Sequence, residues 1–194
     1  MELSNNIYYI TIDKVDYPLR SQESHTYNYV YNPSDYKEAN FHSALIINIE
    51  TACNKSCIEL IGSFYSSPDR CAELEDSKLV VLMDDVIVEF DLETLSVLKH
   101  KTIGDETYFS LHPITDGYLI HGELSILRLD RNFEQVWNFY GSDIWVVQDG
   151  ARESFQIVDD QILLEDWNGI KYILNMDGKL VAEGNPLPQT PLEN

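Results

Sequence analysis

The sequence has 194 residues, of which 44% are hydrophobic and 11% aromatic, as is typical of a folded protein and not of a disordered chain. Its 33 Asp and Glu residues outnumber its 13 Lys and Arg residues and give a net charge of −20. Because like charges repel, this charge argues against nucleic acid and anionic membranes as partners, and it favours a basic protein. Solubility alone is the competing explanation of the same charge.

The first 42 residues predict a strand followed by a divergent loop segment. The strand lies in "NIYYITID", and neither a basic start nor a long apolar run marks a secretory signal. Tyr27, Tyr29 and Tyr31 alternate with smaller residues, which places the three rings on one face of an extended segment. No apolar run reaches the roughly 20 residues that cross a bilayer. We expect a cytoplasmic protein because the cysteine content favours a reducing compartment.

Three cysteines, an odd number, argue against a disulfide framework and favour a reducing compartment. Cys53 and Cys57 are four positions apart, with His42 before them and Cys71 after them. A zinc site would need a matching second pair of ligands, which this spacing does not offer. We therefore predict no metal, and the absence of any phosphate-binding or dinucleotide motif predicts no cofactor.

The rest of the chain repeats one pattern of strand, turn, strand, turn and strand, with a period near 40 residues. The first strands are Leu79–Leu82, Tyr118–Ile120 and Ile162–Leu164, and the second strands are Val86–Phe90, Leu124–Leu129 and Ile170–Leu174. The second strands end at Asp91, Asp130 and Asn175. Residues 106–114 and 143–147 are predicted as additional strands that open the next unit, and residues 43–58 as an earlier, less regular copy.

This repeat predicts a mainly all-β fold of antiparallel meander units with little helix, either propeller-like or an open twisted β array. The sequence leaves the choice between these two open. We predict one β domain over residues 1–182, divided into the segment 1–42 and the repeated hairpins 43–182. Residues 183–194 contain three prolines and predict a flexible tail.

Acidic residues in equivalent turns allow two functions. Carboxylates that converge on one rim would suit a hydrolase, a sugar-binding module or a cation site. Turns also favour Asp for backbone reasons, so the same residues are expected simply to be solvated. No catalytic motif accompanies them, and we predict that the protein is not an enzyme.

The candidate contact surface combines two acidic groups with one aromatic residue. Trp167 lies inside the turn "DWNG", where a core residue would be awkward, so an exposed interface anchor is predicted there. The predicted partner-binding residues are Asp84, Asp85, Glu89, Asp159, Asp160, Glu165, Asp166 and Trp167.

In size, acidity, β pattern and lack of catalytic motifs, the chain resembles the small immunity proteins that bacteria keep against protein toxins. The segment "DWNGIKYILNMDGKL" also resembles a blade hairpin of propeller proteins. The first resemblance implies an inhibitor of a basic partner such as a nuclease toxin, and the second implies a binding scaffold. Neither resemblance assigns functional residues or an oligomeric state.

Overall fold

The protein is described from a computed structural model that covers residues 1–16, 27–33, 35, 37, 43–62, 68–147 and 153–184. Strands account for 62% of these residues, which include no α-helix and one short 3-10 turn, Pro68–Arg70. The predicted all-β class with little helix is therefore confirmed. Within the described ranges, no helix is long and apolar enough to cross a membrane.

Seventeen strands are present in the described part of the chain. They are β1 (Glu2–Ser4), β2 (Tyr9–Asp16), β3 (Tyr29–Tyr31), β4 (Ser43–Glu50), β5 (Lys55–Gly62), β6 (Ala72–Glu75), β7 (Lys78–Met83), β8 (Val86–Asp91), β9 (Ser96–Thr102), β10 (Tyr108–Ile114), β11 (Gly117–Gly122), β12 (Ser125–Asp130), β13 (Gln135–Tyr140), β14 (Phe155–Val158), β15 (Gln161–Glu165), β16 (Lys171–Asn175) and β17 (Leu180–Gly184).

The strands form four sheets. The first has the order β1-β2-β4-β5-β3, in which β3 is parallel to β5 and the other pairs are antiparallel. The other three are meanders of sequential strands, β6-β7-β8-β9, β10-β11-β12-β13 and β14-β15-β16-β17. They match the three predicted repeats, and the predicted strand in residues 43–58 is found as β4 in the first sheet.

Strands β8, β12 and β16 end at Asp91, Asp130 and Asn175, which are the residues where the sequence predicted these strands to end. A side-chain oxygen of Asp91, Asp130 or Asn175 accepts backbone N–H hydrogen bonds from residues two to four positions later. A register shift precedes each of these turns by one or two residues. The repeated small acid or amide thus builds one local device, an Asx turn beside a β-bulge whose extra residue lies on the following strand.

The chain divides into two compact units, Met1–Pro113 and Ile114–Asn194. In the first unit, the core joins the first sheet to β7 and β8 through residues such as Ile12, Ile47, Val81 and Phe90. Tyr29 and Tyr31 lie against this core with stacked rings 6.4 Å apart, and both contact Phe90 edge-on. This agrees with the predicted placement of these two tyrosines on one face.

In the second unit, the core brings β11 and β12 against one face of the β14–β17 sheet. Trp145 fills its centre, is fully buried, and contacts the rings of Phe139 and Tyr172. The strand predicted at 143–147 is wrong, because the backbone there bonds to turns instead of to a strand. Trp145 N donates to Glu123 O, and Ile144 O accepts from Trp167 N. The last sheet opens with β14 instead.

Strand β17 ends at Gly184, so its last two residues belong to the segment predicted as a tail. The other residues of the predicted tail, 185–194, lie outside the described residues. His42 and residues 17–26 also lie outside them. The single-domain boundary at residue 182 stays a prediction.

Candidate protein-interaction surface

Asp84 and Asp85 form the two-residue turn between β7 and β8. Asp84 has a φ of +50°, a conformation that Asp tolerates better than most side chains because its short polar group bonds locally. Both residues are half-buried, and the Oδ1 atom of Asp84 is buried without a hydrogen-bond partner in the described part of the chain. This turn therefore places the Asp84 carboxylate where its charged form is disfavoured.

The pKa of Asp84 is raised for this reason. Burial raises the pKa to about 6, the neighbouring Asp85 carboxylate raises it as well, and a hydrogen bond from the Tyr108 backbone N–H acts in the opposite direction. Asp84 is thus partly protonated in mildly acidic solution, and its charge contributes less to a contact surface than the sequence suggested.

Glu89 is not free for a partner. Its side chain is 7% exposed and lies between the ammonium groups of Lys78 on β7 and Lys99 on β9, each 3.3 Å from a carboxylate oxygen. A buried charge requires such partners because its desolvation is costly. The prediction of Glu89 as a contact residue remains untested, but in this structure its charge is already compensated within the sheet.

Asp166 also serves the fold. It is 1% exposed, and its Oδ2 atom accepts hydrogen bonds from Ser142 Oγ at 2.7 Å and Tyr172 OH at 2.9 Å. Its Oδ1 atom accepts from Ile170 N at 2.9 Å, which closes the turn between β15 and β16. Burial and hydrogen bonding thus remove this predicted contact residue from the surface and make it the support of the residue that follows.

Trp167 is 42% exposed, as expected for a tryptophan placed in a turn. Its backbone N donates to Ile144 O at 2.9 Å, and the next residue, Asn168, donates from Nδ2 to Asp143 Oδ2 at 2.8 Å. We call residues Asp166–Gly169 the tryptophan turn. The Trp167 ring is therefore attached to a backbone that is held by the hydrogen bonds of Asp166 and by hydrogen bonds to residues 142–144.

The sequence did not reveal a second turn connected to the tryptophan turn. The Trp145 backbone N donates to Glu123 O at 2.8 Å, which ties segment 142–145 to the β11–β12 turn. Leu124 in that turn is 48% exposed. The connection between the two turns depends on hydrogen bonds between segments that are distant in sequence. The only sequence signal for it is a leucine placed in a turn, where apolar residues are uncommon.

Asp159 and Asp160 form the β14–β15 turn, at the opposite end of β15 from the tryptophan turn. Both are exposed, and both have positive φ values of 48° and 60°. The turn geometry explains why Asp occurs here, and the exposure leaves both carboxylates available to a partner. Glu165 is half-buried and lies 3.8 Å from Lys171 Nζ.

The predicted contact residues thus divide by environment. Asp159, Asp160 and Trp167 are exposed in the second unit, whereas Glu89 and Asp166 are buried and bonded. The acids of residues 73–93 belong to the first unit and those of residues 153–166 to the second.

Two serine–histidine contacts have the composition of a nucleophile–base pair. Ser110 Oγ lies 2.8 Å from His112 Nε2, but burial and the nearby Arg70 charge lower the pKa of His112 to about 4. Ser154 Oγ lies 3.3 Å from His121 Nε2, and it donates its proton to Trp145 O at 2.8 Å. Neither serine is itself exposed, so neither pair presents an activated hydroxyl to a substrate.

The three cysteines are free thiols: Cys53 is exposed, Cys57 is half-buried and Cys71 is buried. Burial raises the pKa of Cys71 to about 11, which keeps this thiol protonated and unreactive. Among the described residues, His, Cys, Asp and Glu do not form any group of three or more that could hold a metal ion.

Comparison with solved structures places this fold among β-propeller-like proteins. It is similar to the computationally designed Ika8 protein (10% identity, TM-score 0.50), covering 73% of this chain and 46% of that one. It is also similar to BamB from Moraxella catarrhalis (14% identity, TM-score 0.46), covering 73% of this chain and 46% of that one. A third similarity is to the Pan2 WD40 domain of Neurospora crassa (13% identity, TM-score 0.46), covering 63% and 38%.

The chain spans less than half of the length of each of these structures. No protein-family model matches it, and no curated protein matches it in sequence. At such low identities, structural similarity concerns the fold alone and assigns no ligand.

Proposed function

We propose that this protein is a non-catalytic binding protein that inhibits a basic protein partner, with the tryptophan turn as its anchor. The observation that carries the proposal is an exposed tryptophan on a turn whose backbone is fixed by a buried, fully bonded carboxylate. Tryptophan is enriched among the residues that dominate binding energy at interfaces, and a rigid support reduces the entropy lost on binding.

The chemistry of the partner follows from charge. A net charge of −20 attracts a basic protein over long distances and increases its association rate. The exposed carboxylates of Asp159 and Asp160 lie in the same unit as Trp167 and would contribute to this attraction. The tryptophan would then limit dissociation, because buried aromatic contacts act mainly on the dissociation rate.

A basic nuclease toxin is the partner class that we favour, and the biological role would be that of an immunity protein. Nuclease domains are basic because they bind nucleic acid, so an acidic protein that covers their binding surface can inhibit them without any chemistry of its own. Size, acidity and the lack of a catalytic motif support this role, as does the resemblance to small acidic immunity proteins.

The test is inhibition of purified basic nuclease toxin domains by a stoichiometric amount of the protein. A panel of such domains would be assayed for cleavage of labelled DNA and RNA, with acidic domains of similar size as the controls in a parallel binding assay. We expect that at least one basic domain loses activity at a ratio near one to one and that the acidic controls do not bind. If no basic domain binds, the proposal fails.

A further inference from the structure

Two turns of the second unit are joined through a single peptide group, the one between Ile144 and Trp145. Its carbonyl oxygen accepts a hydrogen bond from Trp167 N at 2.9 Å, and its N–H donates to Glu123 O at 2.8 Å. The oxygen and the hydrogen of a trans peptide point in opposite directions. The tryptophan turn therefore lies on one side of this peptide, and the β11–β12 turn lies on the other side.

The spacing of the two turns allows both of them to contact one side chain of a partner. Backbones joined by such hydrogen bonds lie about 4.8 Å apart, so the two turns are separated by about 10 Å. Each turn carries one exposed apolar side chain, Trp167 at 42% and Leu124 at 48%. We call Glu123, Leu124 and Trp167 the paired-turn site.

The backbone of the paired-turn site is held by buried residues. Trp145, whose N–H takes part in the bridge, is fully buried in the core of the second unit. Asp166 begins the tryptophan turn, is 1% exposed and accepts three hydrogen bonds. Asn168 Nδ2 donates to Asp143 Oδ2 at 2.8 Å, which ties the same turn to the bridging segment. The two turns should thus keep their spacing without a partner, so that little entropy is lost on binding.

Glu123 supplies the charge of the paired-turn site. Its side chain is half-buried, and within the described ranges its carboxylate makes no hydrogen bond or ion pair. Two other half-buried acids of this unit are engaged, since Glu165 lies 3.8 Å from Lys171 Nζ and Asp143 accepts hydrogen bonds at both oxygens. Partial burial lowers the local dielectric constant, so a cation beside Glu123 would be attracted more strongly than one beside a fully solvated acid.

We infer that the paired-turn site takes an arginine side chain of the basic partner, an inference that rests on the proposed function for the partner. A guanidinium stacks on an indole face within about 6 Å of its centre, and it bonds to both oxygens of a carboxylate at about 2.8 Å. Stacking on Trp167 and bonding to Glu123 together fit the spacing of about 10 Å between the turns. The methylene groups of the same side chain would cover Leu124.

Arginine fits this combination of groups better than the other candidates. The lysine ammonium is compact and strongly hydrated, and it cannot stack on an aromatic ring and bond to both carboxylate oxygens at once. An apolar side chain would cover Trp167 and Leu124, but it would remove water from the Glu123 carboxylate without replacing the lost hydrogen bonds. Only a planar cation satisfies the ring, the leucine and the carboxylate together.

The experiment is a nuclear magnetic resonance titration of the whole ¹⁵N-labelled chain with a capped Gly-Arg-Gly peptide, compared with capped Gly-Lys-Gly and Gly-Leu-Gly. The chain has three tryptophans, and the indole N–H signal of Trp167 is the one that Trp167→Phe removes. We expect this signal to shift saturably with the arginine peptide, with a dissociation constant of about 1 to 30 mM. The lysine peptide should bind at least about threefold more weakly, and the leucine peptide should give no saturable shift.

Variants of the site separate specific binding from general attraction to an acidic chain. Glu123→Gln should weaken binding of the arginine peptide at least about fivefold, and Leu124→Ala at least about twofold. Asp160→Asn is the matched control, because it removes one charge in the same unit at the opposite end of β15 from the tryptophan turn. It should leave the dissociation constant unchanged. An unshifted indole signal of the buried Trp145 verifies that each variant is folded.

An arginine peptide that gives no saturable shift overturns the inference, as does a lysine or leucine peptide that binds as tightly. Equal effects of Glu123→Gln and Asp160→Asn also overturn it, because the attraction would then depend on net charge alone. The peptides test the site without a nuclease domain, so the inference and the proposed function fail separately. Inhibition of a basic domain without arginine selectivity contradicts only the inference, and arginine selectivity without any inhibited domain contradicts only the proposed function.

Discussion

At the scale of single residues, Asp166 shows how an acidic protein uses a carboxylate to build structure. The side chain accepts three hydrogen bonds in a buried site, and Trp167 follows it directly. The same residue type at Asp159 and Asp160 is exposed and occupies left-handed turn positions. Net charge alone therefore cannot identify contact residues, because burial decides which carboxylates are available.

Asp166→Ala should lower the free energy of unfolding of the second unit by about 3 kcal/mol, since it leaves the Ser142 hydroxyl and the Ile170 N–H without their acceptor and leaves the Tyr172 hydroxyl with Ser142 Oγ alone. All three tryptophans lie in this unit, so urea unfolding followed by tryptophan fluorescence measures the change. Glu183→Ala, at an exposed position of the edge strand β17, is the control and should change stability little. A loss below about 1 kcal/mol for Asp166→Ala would refute the structural role of this carboxylate.

Asp84→Asn should stabilise the first unit at neutral pH. The folded-state pKa of Asp84, about 6, lies above its ordinary value of 3.8, so the folded state binds the proton more tightly than the unfolded state. Its favourable contribution is therefore complete below about pH 4 and is lost as the pH rises through about 6. Asparagine tolerates the positive φ and removes the charge.

We expect a gain of about 1 kcal/mol at pH 7, reduced from the full effect of the pKa shift because the residue is partly exposed. Urea unfolding monitored by circular dichroism between pH 4 and 8 measures it, with Asp160→Asn in an exposed turn of similar φ as the control. If the free energy of unfolding depends on pH in the same way for the wild-type protein and Asp84→Asn, then folding does not raise the pKa of Asp84.

At the scale of elements, the Asx turn that precedes each bulged strand is the repeated unit of the meanders. In the last copy, Asn175 Oδ1 accepts from the backbone N–H groups of Asp177 and Lys179. Gly178 has a φ of +74° and lies against the ring of Trp137, whose Nε1 donates to Met176 O at 3.2 Å. A glycine is required here both by backbone conformation and by the neighbouring ring.

Gly178→Ala should therefore destabilise the second unit by about 2 kcal/mol, because a Cβ atom would lie 2.5 Å from the Trp137 ring. Asp177→Ala changes the exposed neighbour in the same turn and should cost less. Fluorescence-monitored urea unfolding distinguishes the two, and equal stability of Gly178→Ala and wild type would contradict the described packing.

The hairpins were predictable from sequence because their signals are local. Short apolar runs, turns with Asp, Asn or Gly and the recurring Asx positions specify β7–β9, β11–β13 and β15–β17 without reference to the rest of the chain. The strand prediction for residues 143–147 was wrong. Their apolar residues are typical of a strand, but Trp145 is buried in a connecting segment whose backbone bonds to two turns. The opening strand β14 has only one buried residue, Phe155, and gave a weak pattern.

The candidate site was predictable only in part. Exposure of Trp167 followed from its place between an acid and the Asn-Gly pair, which is a local signal. The burial of Asp166 and Glu89 depends on Ser142, Tyr172, Lys78 and Lys99, which come from other strands or segments. Sequence periodicity contains no information on such partners.

At the scale of the whole molecule, the net charge of −20 makes the proposed interaction with a basic partner depend on salt. Attraction to a basic partner should weaken as salt shortens the Debye length from about 10 Å at 0.1 M to about 3 Å at 1 M. An interaction that strengthens over the same range is therefore not the one proposed.

The most direct test of the central claim is the kinetics of binding to an inhibited basic nuclease domain. Rates would be measured by surface plasmon resonance for the wild type, Trp167→Ala and Tyr9→Ala, a control in the first unit whose residue is equally exposed at 42%. We predict an association rate that falls at least about tenfold between 0.1 M and 1 M salt, and a dissociation rate that rises at least about tenfold in Trp167→Ala alone. Association that is insensitive to salt, together with equal dissociation rates for all three proteins, would contradict the account.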